Sequence, residues 1–127
     1  MISTSLTIRI GITLIFMAFL AVASIIPGRA QPGDSIFVFI FEKMPTLLQK
    51  TLHVCFYAML TLLWVWTLDA IQPKLNRLII AIVIAVCFGA MLEWYQTRVP
   101  GRFGTIFDVA LNSVGSLLGI LIAIFLF

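Results

Sequence analysis

Residues 93–112 read EWYQTRVPGRFGTIFDVALN and gather two acids, two arginines and two amides between runs of nearly pure hydrocarbon. Glu93, Gln96, Arg98, Arg102, Asp108 and Asn112 are the side-chain types that move protons, orient neighbours and grip anions. A carboxylate near a cation or an imidazole can serve as general acid or base. An arginine fork matches a phosphate or carboxylate. A smaller set, Lys50, His53 and Tyr57, stands upstream at spacings of three and four. No nucleophile motif, metal-ligand spacing or cofactor fingerprint accompanies either set, so neither a metal nor a cofactor is expected.

The elements that carry these residues follow from composition. The chain has 127 residues, enough for one domain over 1–127. It is 62% hydrophobic and 10% charged, against about 45–50% and about 25% in soluble proteins. This is the composition of an integral membrane protein. Its net charge of +3 is scattered over short connections, so nucleic acid is not an expected partner. Cys55 and Cys87 lie in apolar segments without metal-ligand spacing and read as small buried hydrophobes.

A hydrocarbon core of about 30 Å takes about 20 helical residues. Four segments meet that length, at about 8–26, 52–71, 78–97 and 106–127. The expected fold is all-α, a polytopic four-helix transmembrane bundle. MISTSLTIR with the later AVAS also fits a cleaved signal peptide, but an apolar run of about 16–18 residues is long for one, and 8–26 is counted as a span. Pro73 with Lys74 and Arg77 marks the turn between spans two and three, and Pro100-Gly101 with Gly104 marks the next. The first loop contains SIFVFIF, too short to cross, and is expected as an interfacial or re-entrant segment shielded by protein.

Charge counting fixes no orientation. Arg29, Lys43, Lys50, Arg98 and Arg102 face Arg9, Lys74 and Arg77 across the membrane. Setting aside Arg98 and Arg102 as site residues leaves the two sides equal. Parity is more informative: with four alternating spans, loops one and three share a membrane face. Lys50, His53, Tyr57, Glu93, Gln96, Asp108 and Asn112 then converge near it.

Residues three and four apart share a helix face. On span three Ala81, Ala85, Gly89 and Glu93 form such a stripe, continued by Gln96. On span four Asp108, Asn112, Gly115 and Gly119 form another. Small stripes permit close helix approach in lipid, and GSLLG at 115–119 matches GxxxG. The short turn makes the two spans neighbours, so these stripes are expected to pack on each other with their polar ends together.

Each of these residues also has a structural reading. Thr105-x-x-Asp108 is a capping box at a helix start. Glu93 resists such a reading: a span from Leu78 that stopped before it would have 15 residues, about 22 Å, short of the core. Arg98 and Arg102 could extend to lipid phosphates, and His53 alone reads as an interfacial histidine. Asn112 suits a hydrogen bond to a neighbouring helix. Lys43, Asp69, Lys74 and Arg77 read as ordinary interfacial charges.

The sequence resembles the VanZ-like family of small bacterial membrane proteins. The resemblance rests on Glu93-x-x-Gln96, Pro100, Arg102 and Asp108-x-x-x-Asn112-x-x-Gly115-x-x-x-Gly119, with Lys50-x-x-His53-x-x-x-Tyr57 upstream. It departs at Gln49, where the family carries an acid. The resemblance implies a multi-pass protein of the bacterial cytoplasmic membrane. The family takes its name from a protein linked to resistance to the glycopeptide teicoplanin, and it brings no agreed activity.

The leading functional expectation is binding of an anionic, lipid-linked envelope head group, with Arg102, Arg98 and Lys50 on the phosphate. Glu93, Gln96, Asp108 and Asn112 would orient Arg102 and contact the polar part. A second is a membrane enzyme with Glu93 or Asp108 as base and His53 as acid. A third is a structural protein acting through Gly89, Gly115 and Gly119. The sequence gives no oligomeric state.

Overall fold

The computed structural model describes residues 5–99, 101–102 and 104–127; Pro100, one of the residues that mark the third turn, lies outside them. Five helices are described: α1 Leu6–Ile25, α2 Ile36–Lys43, α3 Thr46–Thr67, α4 Lys74–Gln96 and α5 Ile106–Leu126. Four of these are long and apolar enough to cross a membrane. Each start has a local cause. Ser5 accepts from the Ile8 N–H, and Thr105 from the Asp108 N–H, the usual cap for otherwise unpaired helical donors. Pro45 and Pro73 precede α3 and α4, where a missing N–H costs nothing. Helices α3 and α4 begin at Thr46 and Lys74, ahead of the apolar runs at Leu52 and Leu78. Gln49, Lys50, Lys74 and Arg77 favour helix and carry the backbone through a polar first turn.

The first-loop segment is α2, eight residues long, or about 12 Å. It comes close at the backbone to none of the other helices. It is held instead by side chains: Phe41 lies against the Arg102 guanidinium, and the Glu42 carboxylate accepts from the Ala30 N–H at 3.2 Å.

Helix α3 is the hub, touching α1, α4 and α5, and its contact with α5 is the most extensive in the bundle. The expected pairing of stripes is therefore revised. Gly115 and Gly119 pack onto α3, against the Val54 and Ala58 carbonyls, and not onto the small stripe of α4. That stripe (Ala81, Ala85, Gly89, Glu93) is buried as expected. Gly89 faces the Tyr57 ring and the Asn112 amide, each of which a Cβ would approach to about 3 Å or less.

Two further expectations change. Cys55 and Cys87 are exposed on the helix surfaces, because an apolar side chain in a membrane bundle gains as much from facing lipid as from facing protein. Asp69 and Arg77 are not simple interfacial charges. Arg77 is 4% exposed and pairs with Asp69 at 2.7 Å, and Asp69 also meets Arg9 at 3.2 Å. With Thr13 and Thr67 hydrogen-bonded at 2.7 Å, this network ties α1, α3 and α4 together at the end of the bundle away from loops one and three.

Candidate functional site

At the face of loops one and three, every descending helix contributes a polar group because of how its chain enters or leaves the bundle. His53 is two turns into α3, Glu93 and Gln96 close α4, and Asn112 is two turns into α5. Loop three packs against the start of loop one and the end of α4: a Cβ on Gly28 would collide with the Gly101 carbonyl, and one on Gly104 with the Glu93 carbonyl. Gly101 has φ +74°, a conformation glycine adopts without cost. These close approaches bring Arg102 under the end of α1.

The Arg102 guanidinium donates from Nε to the Ile26 carbonyl and from Nη2 to the Ala23 carbonyl, both at 3.0 Å. It thereby satisfies carbonyls at the α1 C-terminus that have no partner within the helix. With the Gln96 amide oriented by its neighbours, Gln96 Oε1 accepts from Arg102 Nη1 at 3.2 Å and Nε2 donates to Glu93 Oε2 at 3.1 Å. Burial draws the Arg102 pKa below its ordinary value, opposed by Glu93 and Asp108; a guanidinium starts high enough to stay charged at neutral pH.

Glu93 is 4% exposed and Asn112 1%. Asn112 Oδ1 lies 2.8 Å from His53 Nδ1, and Glu93 Oε1 lies 3.8 Å from the same nitrogen. A carbonyl oxygen can only accept, so His53 Nδ1 carries the hydrogen and, in the neutral ring, Nε2 keeps its lone pair. Asn112 Nδ2 is buried beside Gly89. Tyr57 is buried one turn below His53 and forms the floor. Glu93, Gln96, Arg102, Asn112 and His53 thus form a continuous set drawn from α3, α4, α5 and loop three.

The other candidates stand further out. Asp108 is tied to the cap of α5: its N–H donates to Thr105 Oγ1 at 3.1 Å and its Oδ2 accepts from the same hydroxyl at 2.9 Å. The Lys50 ammonium sits 4.8 Å above the Phe107 ring and has no carboxylate partner among the described residues. Arg98 stacks on Trp94 at 4.4 Å, is exposed, and lines neither cavity described below. Among the described residues no three His, Cys, Asp or Glu side chains gather around a space for a metal ion.

Two cavities open at this set. The larger, about 530 Å3, runs between α1, α2, α3 and α4, with mainly apolar walls such as Phe19, Leu20, Phe56 and Leu92, and ends at His53, Glu93 and Arg102. The smaller, about 430 Å3, is lined by Lys50, Glu42, Asp108 and Arg102 among others. The sequence did not point to the apolar walls or to the α1 carbonyls under Arg102. The only available signal was that Pro27-Gly28 and Pro100-Gly101 fall, by parity, at the same membrane face.

The VanZ/LLP1 family matches residues 7–127, nearly the whole chain. No curated protein and no solved structure matches it.

Proposed function

This chain belongs to the VanZ-like family and is a multi-pass membrane protein with four candidate spans, and from that premise we propose that its polar face binds the anionic head group of a lipid-linked envelope molecule. The observation that carries the reading is the cavity lined by Lys50, His53 and Arg102 at the end of the bundle where the helices meet loops one and three. The acids around it are already engaged: Glu93 with Gln96, Asp108 with Thr105, Glu42 with Ala30. Lys50 retains donors for a phosphate, and Arg102, held rigidly by α1, presents the remaining N–H groups of its fork. Arg98 lies outside this arrangement and is assigned to the lipid surface. The setting is the bacterial cytoplasmic membrane, and altered teicoplanin susceptibility is the cellular effect such binding would produce.

The test is affinity for phosphate-bearing lipids in nanodiscs of zwitterionic lipid, wild type against Lys50→Glu. Weaker binding by the variant, at unchanged thermal stability, is expected; equal affinities would end the reading. A second reading, a membrane enzyme, is favoured by one observation: Asn112 fixes the His53 tautomer so that Nε2 is available as a base, which reverses the acid role the sequence suggests for His53. Turnover of a bound lipid that is lost in His53→Gln while binding persists would favour it.

A further inference from the structure

The two cavities are not independent. Phe41, Gln49, His53, Gln96 and Arg102 line both, so the polar chamber and the apolar cleft adjoin across these five residues. One end offers Lys50 and Arg102, beside Glu42 and Asp108 whose carboxylates accept from Ala30 and Thr105; the other has mainly apolar walls. We infer that together they form one amphipathic site whose ligand is a phosphate carried on a single hydrocarbon chain, the phosphate beside Lys50 and the chain under α2. The inference rests on the head-group reading above and adds the chain and its number.

Volume argues for one chain. A methylene is about the size of a water, whose share of liquid volume is about 30 Å3. A cleft of about 530 Å3 is thus on the order of the volume of one long chain of such groups. The polar chamber, about 430 Å3, exceeds a bare phosphate and accommodates a further polar moiety of sugar or glycerol size. The cleft also has a wall able to yield. Helix α2 approaches no other helix closely at the backbone, and side chains alone hold it: Phe41 on Arg102, the buried Val38 and the Glu42 carboxylate on the Ala30 N–H. Ser35, Phe37 and Phe41 line the cleft, Val38 is the buried residue of α2, and Ile36, Phe37 and Ile40 each keep more than half of their surface exposed, so α2 lies between the slot and the surrounding lipid. A chain entering from the bilayer passes beside α2 without disturbing the α3–α5 core.

The shared chemistry has two sources, a monoacyl glycerophosphate or a polyprenyl phosphate, and the experiment separates them. Full-length protein in nanodiscs of zwitterionic lipid is offered four probes: a monoacyl glycerophosphate, a polyprenyl phosphate, a diacyl phosphatidate and glycerol phosphate. Binding is read by native mass spectrometry for wild type, Ala23→Phe and Lys50→Glu. Ala23 lines the cleft, and a phenyl ring there occupies chain space. At least one single-chain probe is expected to bind about tenfold or more tighter than the diacyl and chainless ones, an advantage that Ala23→Phe removes. Lys50→Glu is expected to weaken all phosphate probes. Tight binding by Ala23→Phe with loss in Lys50→Glu would overturn the chain site and leave the head-group reading standing. Equal affinity for one and two chains would overturn the single-chain claim, and indifference to Lys50→Glu would overturn the head-group reading itself. If Ala23→Phe fails to fold, Ala23→Leu serves as a smaller obstruction of the same cleft wall, and wild-type binding by it equally overturns the inference.

Discussion

Adding one methyl group at two helical glycines should change stability in opposite directions. Gly11 sits in α1 and Gly119 in α5, both inside spans. Alanine is favoured over glycine in a helix by about 0.5–1 kcal/mol, an advantage both sites share. What differs is the space. A Cβ at Gly11 meets nothing within 4 Å, whereas at Gly119 it lies 2.6 Å from the Ala58 carbonyl oxygen and 2.9 Å from Thr61 Cβ. Real Cβ atoms essentially never approach within 3.0 Å, so α3 and α5 must part locally by about 0.4 Å. The obstructing atom is backbone and cannot swing aside. Overpacking of this kind costs about 1–3 kcal/mol, which exceeds the propensity gain. No hydrophobic drive between helices in lipid restores the contact, because association there rests on close packing itself. Gly119→Ala should therefore lose about 1–2 kcal/mol, and Gly11→Ala should gain up to about 1 kcal/mol. Unfolding in mixed micelles, followed by far-ultraviolet circular dichroism as denaturing detergent is titrated in, measures both. Coincident midpoints for the two variants would refute the close α3–α5 contact.

Arg102→Lys keeps the charge but not the fork. A single ammonium cannot serve Ala23, Ile26 and Gln96 together, so thermal stability should fall by about 1–3 kcal/mol; an unchanged unfolding temperature would show that the guanidinium does not clamp loop three to α1. Nitrogen-15 spectra of His53 at neutral pH should show Nδ1 protonated in the wild type, and Asn112→Leu should release the ring to the other tautomer. Persistence of the Nδ1–H form in that variant would refute the hydrogen bond to Asn112.

The features legible in the sequence are those governed by length and parity, and the features hidden from it are those governed by which apolar surface meets which. Span number follows from a fixed hydrocarbon thickness, and alternation alone carries His53, Glu93 and Asn112 to one end. Glu93 does lie within α4, which runs on to Gln96, although the helix begins at Lys74, four residues ahead of the Leu78 from which the apolar run is counted. Periodicity in a membrane bundle, by contrast, does not separate protein-facing from lipid-facing sides, since both are apolar. Hence the glycines of α5 could be recognised as a packing stripe while their partner was misjudged, and Cys55 and Cys87 could be read as buried. Arg102 exposes a further limit. Its principal partners are the carbonyls of Ala23 and Ile26, and a backbone acceptor has no side-chain signature. The same clamp explains why the arginine nearest the acids is also the one least free to move. Its charge is anchored to α1 before any ligand arrives, leaving Lys50, on the rim and without a carboxylate partner among the described residues, as the cation whose neutralisation a phosphate would complete.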